Sequence, residues 1–96
     1  MLDTSTLKAI RNIVAPLLPD NSYKAFIFGS RAIGTNRAFS DVDLGILGPR
    51  PFPSKNYVEL TEALDNSDLP FKTDIVDFAA VSDKFREKAL AKIIEL

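Results

Sequence analysis

The chain has 96 residues, a formal net charge of −1, and neither cysteine nor histidine. This length predicts a single domain spanning residues 1–96, and the composition excludes disulfides, thiolate metal sites and catalysis by imidazole. The basic residues are scattered along the sequence, which argues against bulk binding of duplex DNA, and any bound metal must be held by oxygen atoms, as a hard ion such as Mg²⁺ prefers.

The N-terminal third predicts a helix followed by a buried strand. Apolar residues recur at helical spacing from Leu7 to Leu17. Pro16 should end or kink that helix, because the residue before a proline avoids helical geometry. Residues 23–28 are nearly all apolar and stop at Gly29, a pattern typical of a strand that is buried on both faces.

The middle of the chain predicts a turn, a second strand and a proline-rich loop. Residues 30–33 should open a short helix that ends at Gly34. Residues 41–47 begin with alternating acidic and apolar side chains, which predicts a strand with its carboxylates on one face. Three prolines within residues 48–53 exclude a helix or a central strand there.

The remaining elements alternate between helix and strand. Residues 55–64 have helical spacing, residues 72–78 predict a third strand, and residues 82–96 predict a final helix. The resulting order, α-β-α-β-α-β-α, favours an α/β domain with a small mixed or parallel sheet flanked by helices. The last helix carries more apolar residues than one buried stripe needs, so we expect some of them to face a partner.

Gly29 and Ser30 stand where the first strand should meet a helix. Glycine lets the backbone approach a bulky anion closely, and the free N–H groups at the start of a helix favour phosphate. The Ser30 hydroxyl would add a donor, and Arg31 could bind a phosphate through two hydrogen bonds. Gly-Ser is also common in ordinary turns, so a purely structural role, with Ser30 capping the helix, stays open.

Asp41 and Asp43 stand two positions apart on the second predicted strand. Side chains at that spacing project from the same face, roughly 7 Å apart along the strand. Two carboxylates there repel each other unless a cation lies between them, and a divalent metal meets that need. Ser40 could hydrogen-bond Asp41 or the loop backbone. Taken alone, the pair could also mark an exposed strand face that discourages aggregation.

A metal site of this kind needs a third carboxylate to activate an attacking hydroxyl group. The third predicted strand offers Asp74 and Asp77, which are three positions apart and should face opposite ways. Arg37, in the loop between the two half-motifs, could meet phosphates, although a loop arginine is more often solvated. Phe52 or Tyr57 could stack on a base, although aromatic residues in so small a domain are usually core.

In this order and at this spacing, the motifs resemble the signature of the polymerase-beta-type nucleotidyltransferases, and the chain length resembles that of their minimal members. The matching positions are Gly29, Ser30, Arg31, Ala32, Gly34, Ser40, Asp41, Asp43, Leu44 and Asp74. The resemblance implies the polymerase-beta-like palm fold. It also favours Asp74 over Asp77, because the third acidic residue of that family is followed directly by apolar residues.

By resemblance, the reaction is transfer of a nucleoside monophosphate, usually AMP from ATP, to a hydroxyl group, with release of pyrophosphate. The implied cofactor is Mg²⁺, as two ions. The implied metal ligands and catalytic residues are Asp41, Asp43 and Asp74, and the implied nucleotide contacts are Gly29, Ser30, Arg31 and Ser40.

The resemblance also implies a partner. Minimal nucleotidyltransferases are typically encoded beside a small helical protein of the HEPN type, in pairs that look like toxin–antitoxin systems, and some of them adenylylate that partner. We therefore expect a helical protein partner, with homo-oligomerisation as another source of an acceptor pocket. No apolar run is long enough to span a bilayer and no secretory pattern opens the chain, so we expect a cytoplasmic protein without membrane contact.

Two functions from different classes stay open at this point. The first is a metal-dependent adenylyltransferase, and the second is a nucleotide-binding module that neutralises its partner by contact without catalysis. The three aspartates favour the enzyme, because a contact-only module has little need of all three. The acceptor, the nucleotide preference and the oligomeric state do not follow from the sequence.

Overall fold

The computed structural model of the protein describes residues 3–29 and 41–96. Helix α1 spans Thr4–Val14 and continues into a 3₁₀ turn at Ala15–Leu17, so Pro16 tightens the end of the helix as predicted. Asp3 caps the helix, since its Oδ1 accepts a hydrogen bond of 2.7 Å from the backbone N–H of Thr6.

Four strands form one mixed sheet. They are β1 (Lys24–Phe28), β2 (Val42–Leu47), β3 (Thr73–Asp77) and β4 (Ile94–Glu95), and their order in the sheet is β3-β2-β1-β4. Strand β2 pairs in parallel with β3, whereas β1 pairs antiparallel with both β2 and β4. This arrangement confirms the predicted small mixed sheet flanked by helices.

Two further helices follow in the second half of the chain. Helix α2 spans Ser54–Asp65 and helix α3 spans Asp83–Leu90. The prediction of one helix over residues 82–96 is therefore wrong in its second half. The chain leaves the helix after Leu90, and Ile94 and Glu95 add an edge strand beside Ile27 and Phe26.

This edge strand explains the surplus of apolar residues near the C-terminus. Ile94 and Leu96 pack against the core on one side of the sheet, and Leu90 and Ile93 pack against the core on the other. Helical spacing alone does not show that this segment pairs with the edge of β1. These residues are only partly buried by contacts within the domain, and that some of them face a partner stays a prediction.

The sheet has two chemically different faces. One face is mainly aliphatic: side chains such as Ile27 and Leu44 pack against Ile10 of α1 and Leu60 of α2. The other face carries the rings of Phe26, Phe28 and Phe78, against which α3 packs. Gly45 makes the ring cluster feasible, because a Cβ at that position would clash with the Phe26 ring.

The proline-rich loop between β2 and α2 is fixed by the core. The Tyr23 hydroxyl donates a 3.0 Å hydrogen bond to the carbonyl oxygen of Arg50. Phe52 is 6% exposed and belongs to the aliphatic core, which agrees with the core role favoured from the sequence over stacking on a base. Tyr57 is exposed, but it lies on α2 and hence on the aliphatic side of the sheet. In the described part of the chain no helix has the length and apolar character required to cross a membrane.

Candidate active site

Three aspartates gather at one end of the sheet, on the face that carries the phenylalanine rings. Asp43 of β2 is the direct register partner of Asp74 on the parallel strand β3, and of Phe28 on β1. Asp41 lies two residues before Asp43, at the start of the strand. Asp43 is half-buried, whereas Asp41 and Asp74 are exposed. The pairing of β2 with β3 therefore brings together two residues that are 31 positions apart in the chain.

The electrostatics of Asp43 show mutual repulsion among the three aspartates. Burial raises the pKa of this carboxyl group first, and the charges of Asp74 and Asp41 raise the pKa further. Among the described residues the only ion pair joins Arg50 to Asp20, away from the site. A positive charge bound among the three aspartates would relieve this repulsion.

Gly29 ends β1 directly beside Asp43. Its φ of 75° lies in the left-handed region, which glycine adopts without strain. A Cβ on residue 29 would also clash with Oδ2 of Asp43. Two independent requirements therefore call for glycine here. The other predicted nucleotide contacts, Ser30, Arg31 and Ser40, lie outside the described residues, as does Arg37.

The donor set suits a hard divalent cation, because only carboxylate oxygens are available at the three positions. Within residues 3–29 and 41–96, no group of three or more acidic side chains is already arranged to hold a metal ion. Asp43 and Asp74 are adjacent in the register, so the chemistry and the charge of the site fit such an ion, while its ligand geometry is not preformed in the described residues.

Asp77 has a different environment from Asp74. Its Oδ2 accepts a 3.0 Å hydrogen bond from the backbone N–H of Phe52, and its Oδ1 accepts one of 3.0 Å from that of Ala79. Its register partner is Ile46, whose side chain lies on the aliphatic face. Asp77 thus anchors two loops and points away from Asp43.

The structure also brings to the site three residues that the sequence pattern did not single out. Phe85, Lys88 and Lys92 line a cleft together with Asp43 and Gly29. The spacing i, i+3 places Phe85 and Lys88 on one side of α3, whereas Lys92 lies two residues beyond the end of that helix. Only the packing of this segment on the sheet shows that these residues line a cleft with Asp43.

Comparison with known proteins agrees with this geometry. The family model described as "Polymerase beta, Nucleotidyltransferase" matches residues 12–96. The chain belongs to this nucleotidyltransferase family. It is 36% identical over 86 residues to the Haemophilus influenzae protein named "Probable protein adenylyltransferase MntA", an alignment that covers 90% of this chain and 74% of that protein.

Solved structures agree with the fold of this nucleotidyltransferase. One described as a minimal nucleotidyltransferase superposes with a TM-score of 0.74 at 30% identity, over 99% of this chain and 97% of the other. A second, at 20% identity and a TM-score of 0.60, is the MNT antitoxin of Shewanella oneidensis in complex with a tri-AMPylated HEPN toxin, with 92% of this chain and 69% of that one covered. The resemblance drawn from the Gly-Ser and Asp-x-Asp motifs is confirmed.

Proposed function

We propose that this nucleotidyltransferase transfers AMP from ATP to a hydroxyl group on a small helical HEPN-type partner protein, as the antitoxin of a toxin–antitoxin pair. The observation that carries the proposal is the juxtaposition of Asp43 and Asp74 on paired strands, with Asp41 beside them and Gly29 closing the end of β1. The similarity to the Haemophilus protein and to the antitoxin bound to its AMPylated toxin supports the acceptor.

The three aspartates are the proposed ligands of two Mg²⁺ ions. When bound, Mg²⁺ would offset the negative charge of the triphosphate and of the leaving pyrophosphate. Asp43 would hold the central position, because Asp74 is its register partner and Asp41 lies two residues before it. Gly29 would let the phosphates approach the backbone, and Ser30, Arg31 and Ser40 are proposed as further nucleotide contacts.

In the proposed reaction, the hydroxyl oxygen of the partner attacks the α-phosphorus of ATP. A new oxygen–phosphorus bond forms to the partner as the bond between the α-phosphorus and the oxygen bridging to the β-phosphate breaks. Pyrophosphate leaves, and the proton of the hydroxyl group passes to the Asp74 carboxylate and then to water. No imidazole is required, which suits a chain without histidine. Because ATP is the substrate, we place the reaction in the cytoplasm.

The test is a transfer assay with ATP labelled at the α-phosphate, Mg²⁺, and the HEPN-type protein encoded beside this one. We expect the partner to become labelled by the wild type and not by Asp41→Asn. Asp68→Asn is the matched control, because it removes the same charge from an exposed loop residue that is not one of the proposed metal ligands.

A contact-only function predicts a different result. The two proteins would then co-purify and the partner would be neutralised equally by wild type and Asp41→Asn, without label on either protein. That outcome would overturn the enzymatic proposal. Label that persists in the presence of a chelator would overturn the requirement for Mg²⁺.

A further inference from the structure

A cleft of about 470 Å³ opens between the end of β1 and helix α3. The sheet side of the cleft is formed by Phe28, Gly29 and Asp43, and the opposite side is formed by Phe85 and Lys88 of α3 and by Lys92 just beyond the end of that helix. The cleft therefore starts at the central carboxylate of the candidate active site and extends along a segment that carries an aromatic ring and two cations.

Helix α3 is held firmly enough to fix the positions of these side chains. Ser82 caps its first turn, with its Oγ accepting a 3.1 Å hydrogen bond from the backbone N–H of Phe85. Arg86 donates a 2.7 Å hydrogen bond from Nη2 to the carbonyl oxygen of Phe78. Ala89 packs on the ring cluster of the sheet. The anchored side of the helix thus faces the sheet, and the adjoining side faces the cleft.

Phe85 is the aromatic residue of this cleft, and much of its ring is open. It makes an edge contact with Phe28, with ring centroids 6.1 Å apart and planes at 87°, and a tilted contact with Phe78 at 5.9 Å. Although two rings hold it, Phe85 is 43% exposed. An exposed phenylalanine fixed in orientation beside a cleft is suited to stacking on a planar ligand group.

Lys88 and Lys92 are the cations of the cleft. Among the described residues neither forms an ion pair with an acidic side chain. Three residues, or about 4.5 Å at helical rise, separate Phe85 from Lys88, and Lys92 follows two residues beyond the end of α3. The cleft therefore presents an aromatic ring and two cations to a ligand with a flat part and a charged part. Cations along one wall and a carboxylate at the end are complementary to a phosphate chain that carries a divalent metal.

We propose that this cleft holds the nucleoside triphosphate, with Lys88 and Lys92 contacting its phosphates and Phe85 stacking on its base. The inference rests on the proposed function and deepens it, since it names the residues that position the nucleotide against Asp43. The alternative is that the cleft binds the acceptor side chain of the partner, and the test distinguishes the two.

The test measures binding of AMP-PNP with Mg²⁺, and of AMP, to the purified full chain by titration calorimetry, without the partner. For Lys88→Gln/Lys92→Gln, we expect AMP-PNP to bind roughly 30–100-fold more weakly, at about fivefold to tenfold for each charge-assisted contact, and AMP to lose less. For Phe85→Leu, both nucleotides should lose affinity by a similar factor of roughly five or more, because stacking does not depend on the phosphates.

Lys84→Gln is the matched control. Lys84 is exposed on the same helix and carries the same charge but does not line the cleft. The affinity of the Lys84→Gln variant for AMP-PNP should therefore stay within about twofold of wild type. Thermal melts of all variants establish that the fold is kept. Leucine at residue 85 preserves apolar contact with Phe28 and Phe78, so loss of affinity without loss of Tm is the expected result.

The outcomes separate the inference from the proposed function. If the wild type binds AMP-PNP and the cleft variants bind equally well, the inference is overturned while the enzyme proposal stands. If the cleft variants bind AMP-PNP normally but no longer label the partner, the cleft holds the acceptor and the inference is also overturned. Failure of the folded wild type to bind AMP-PNP would instead count against the proposed function itself.

Discussion

The two faces of the sheet differ in how completely they are covered. The aliphatic face lies under α1, the 3₁₀ turn and α2, and its central side chains, such as Ile27, Leu44 and Leu60, are fully buried. Within residues 3–29 and 41–96, the aromatic face lies under the eight-residue helix α3, and that helix has no fully buried residue. The aliphatic face therefore supplies most of the hydrophobic stabilisation, while the aromatic face leaves the end of the sheet that carries the aspartates accessible.

This asymmetry is useful in so small a domain. A domain of this length has a thin stability margin. In the described residues the main aliphatic core lies on one face of the sheet, and the three mutually repelling aspartates meet an open cleft on the other. Substitutions on the aliphatic face should thus change the free energy of unfolding, and substitutions of the three aspartates should change the rate of transfer.

The largest effect on stability is expected from Leu60→Ala on the aliphatic face. Leu60 is 0% exposed, and its truncation should lower the free energy of unfolding by about 2–5 kcal/mol, because a cavity replaces lost contacts. Urea denaturation measures the change. Val58→Ala on the same helix is the control, since Val58 is 53% exposed and should cost less than about 0.5 kcal/mol. Equal losses would contradict the assignment of the main core to this face.

Gly29→Ala should affect both the stability of the fold and the rate of transfer. An L-residue at a φ of 75° is strained, and the added Cβ must displace the Asp43 carboxylate, so we expect a loss of about 1–3 kcal/mol in stability and roughly 100-fold in transfer rate. Gly48→Ala is the control, because its Cβ would clash with the Tyr23 ring at the other end of the sheet. That variant should lose stability but keep its transfer rate per folded molecule. An active Gly29→Ala enzyme would show that Asp43 tolerates displacement.

The sequence alone predicts well which residues stand at the end of the sheet that carries the aspartates, and it predicts poorly how the aromatic face is packed. Gly29, Asp41 and Asp43 are recognisable because their motif is local: a turn residue and a period of two on one strand. The edge strand at Ile94 could not be predicted, since its pairing with Ile27 joins positions 67 residues apart. The cleft could not be predicted for the same reason. Whether Lys88 faces solvent or the aspartates depends on how α3 packs on the sheet, and helical periodicity does not determine that packing.

Asp77→Asn tests whether Asp77, which lies on the aliphatic face of the sheet, has a structural role only. The asparagine keeps one acceptor oxygen for the backbone N–H groups of Phe52 and Ala79, so we expect a stability loss of about 1–2 kcal/mol and an unchanged transfer rate. Asp74→Asn should do the opposite, with a stable fold and no measurable transfer. The comparison uses urea denaturation and the labelling assay on both variants. Loss of transfer in folded Asp77→Asn would reassign the third carboxylate.

The smallest effect concerns the helix caps, which differ between the two faces. Asp3, which caps α1, has a pKa lowered by hydrogen bonds from the Thr6 hydroxyl and backbone N–H, whereas Ser82, which caps α3, does not titrate. A lowered pKa in the folded state means that the contribution of Asp3 to stability is present above the pKa of the unfolded chain, near 4, and is lost as the pH falls through the folded value.

Asp3→Asn keeps a capping oxygen but removes the charge. The wild type should therefore melt slightly higher than Asp3→Asn at pH 7, and the difference should shrink once the pH lies well below the unfolded-state pKa of about 4, as measured by thermal melts at pH 7 and at that lower pH. Ser82→Asn is the control, since neither side chain titrates and its shift in Tm should be the same at both. A difference for Asp3→Asn that does not change with pH would mean that the carboxylate charge adds nothing to the cap, and that α1 is held by its buried residues Ile10 and Val14 alone.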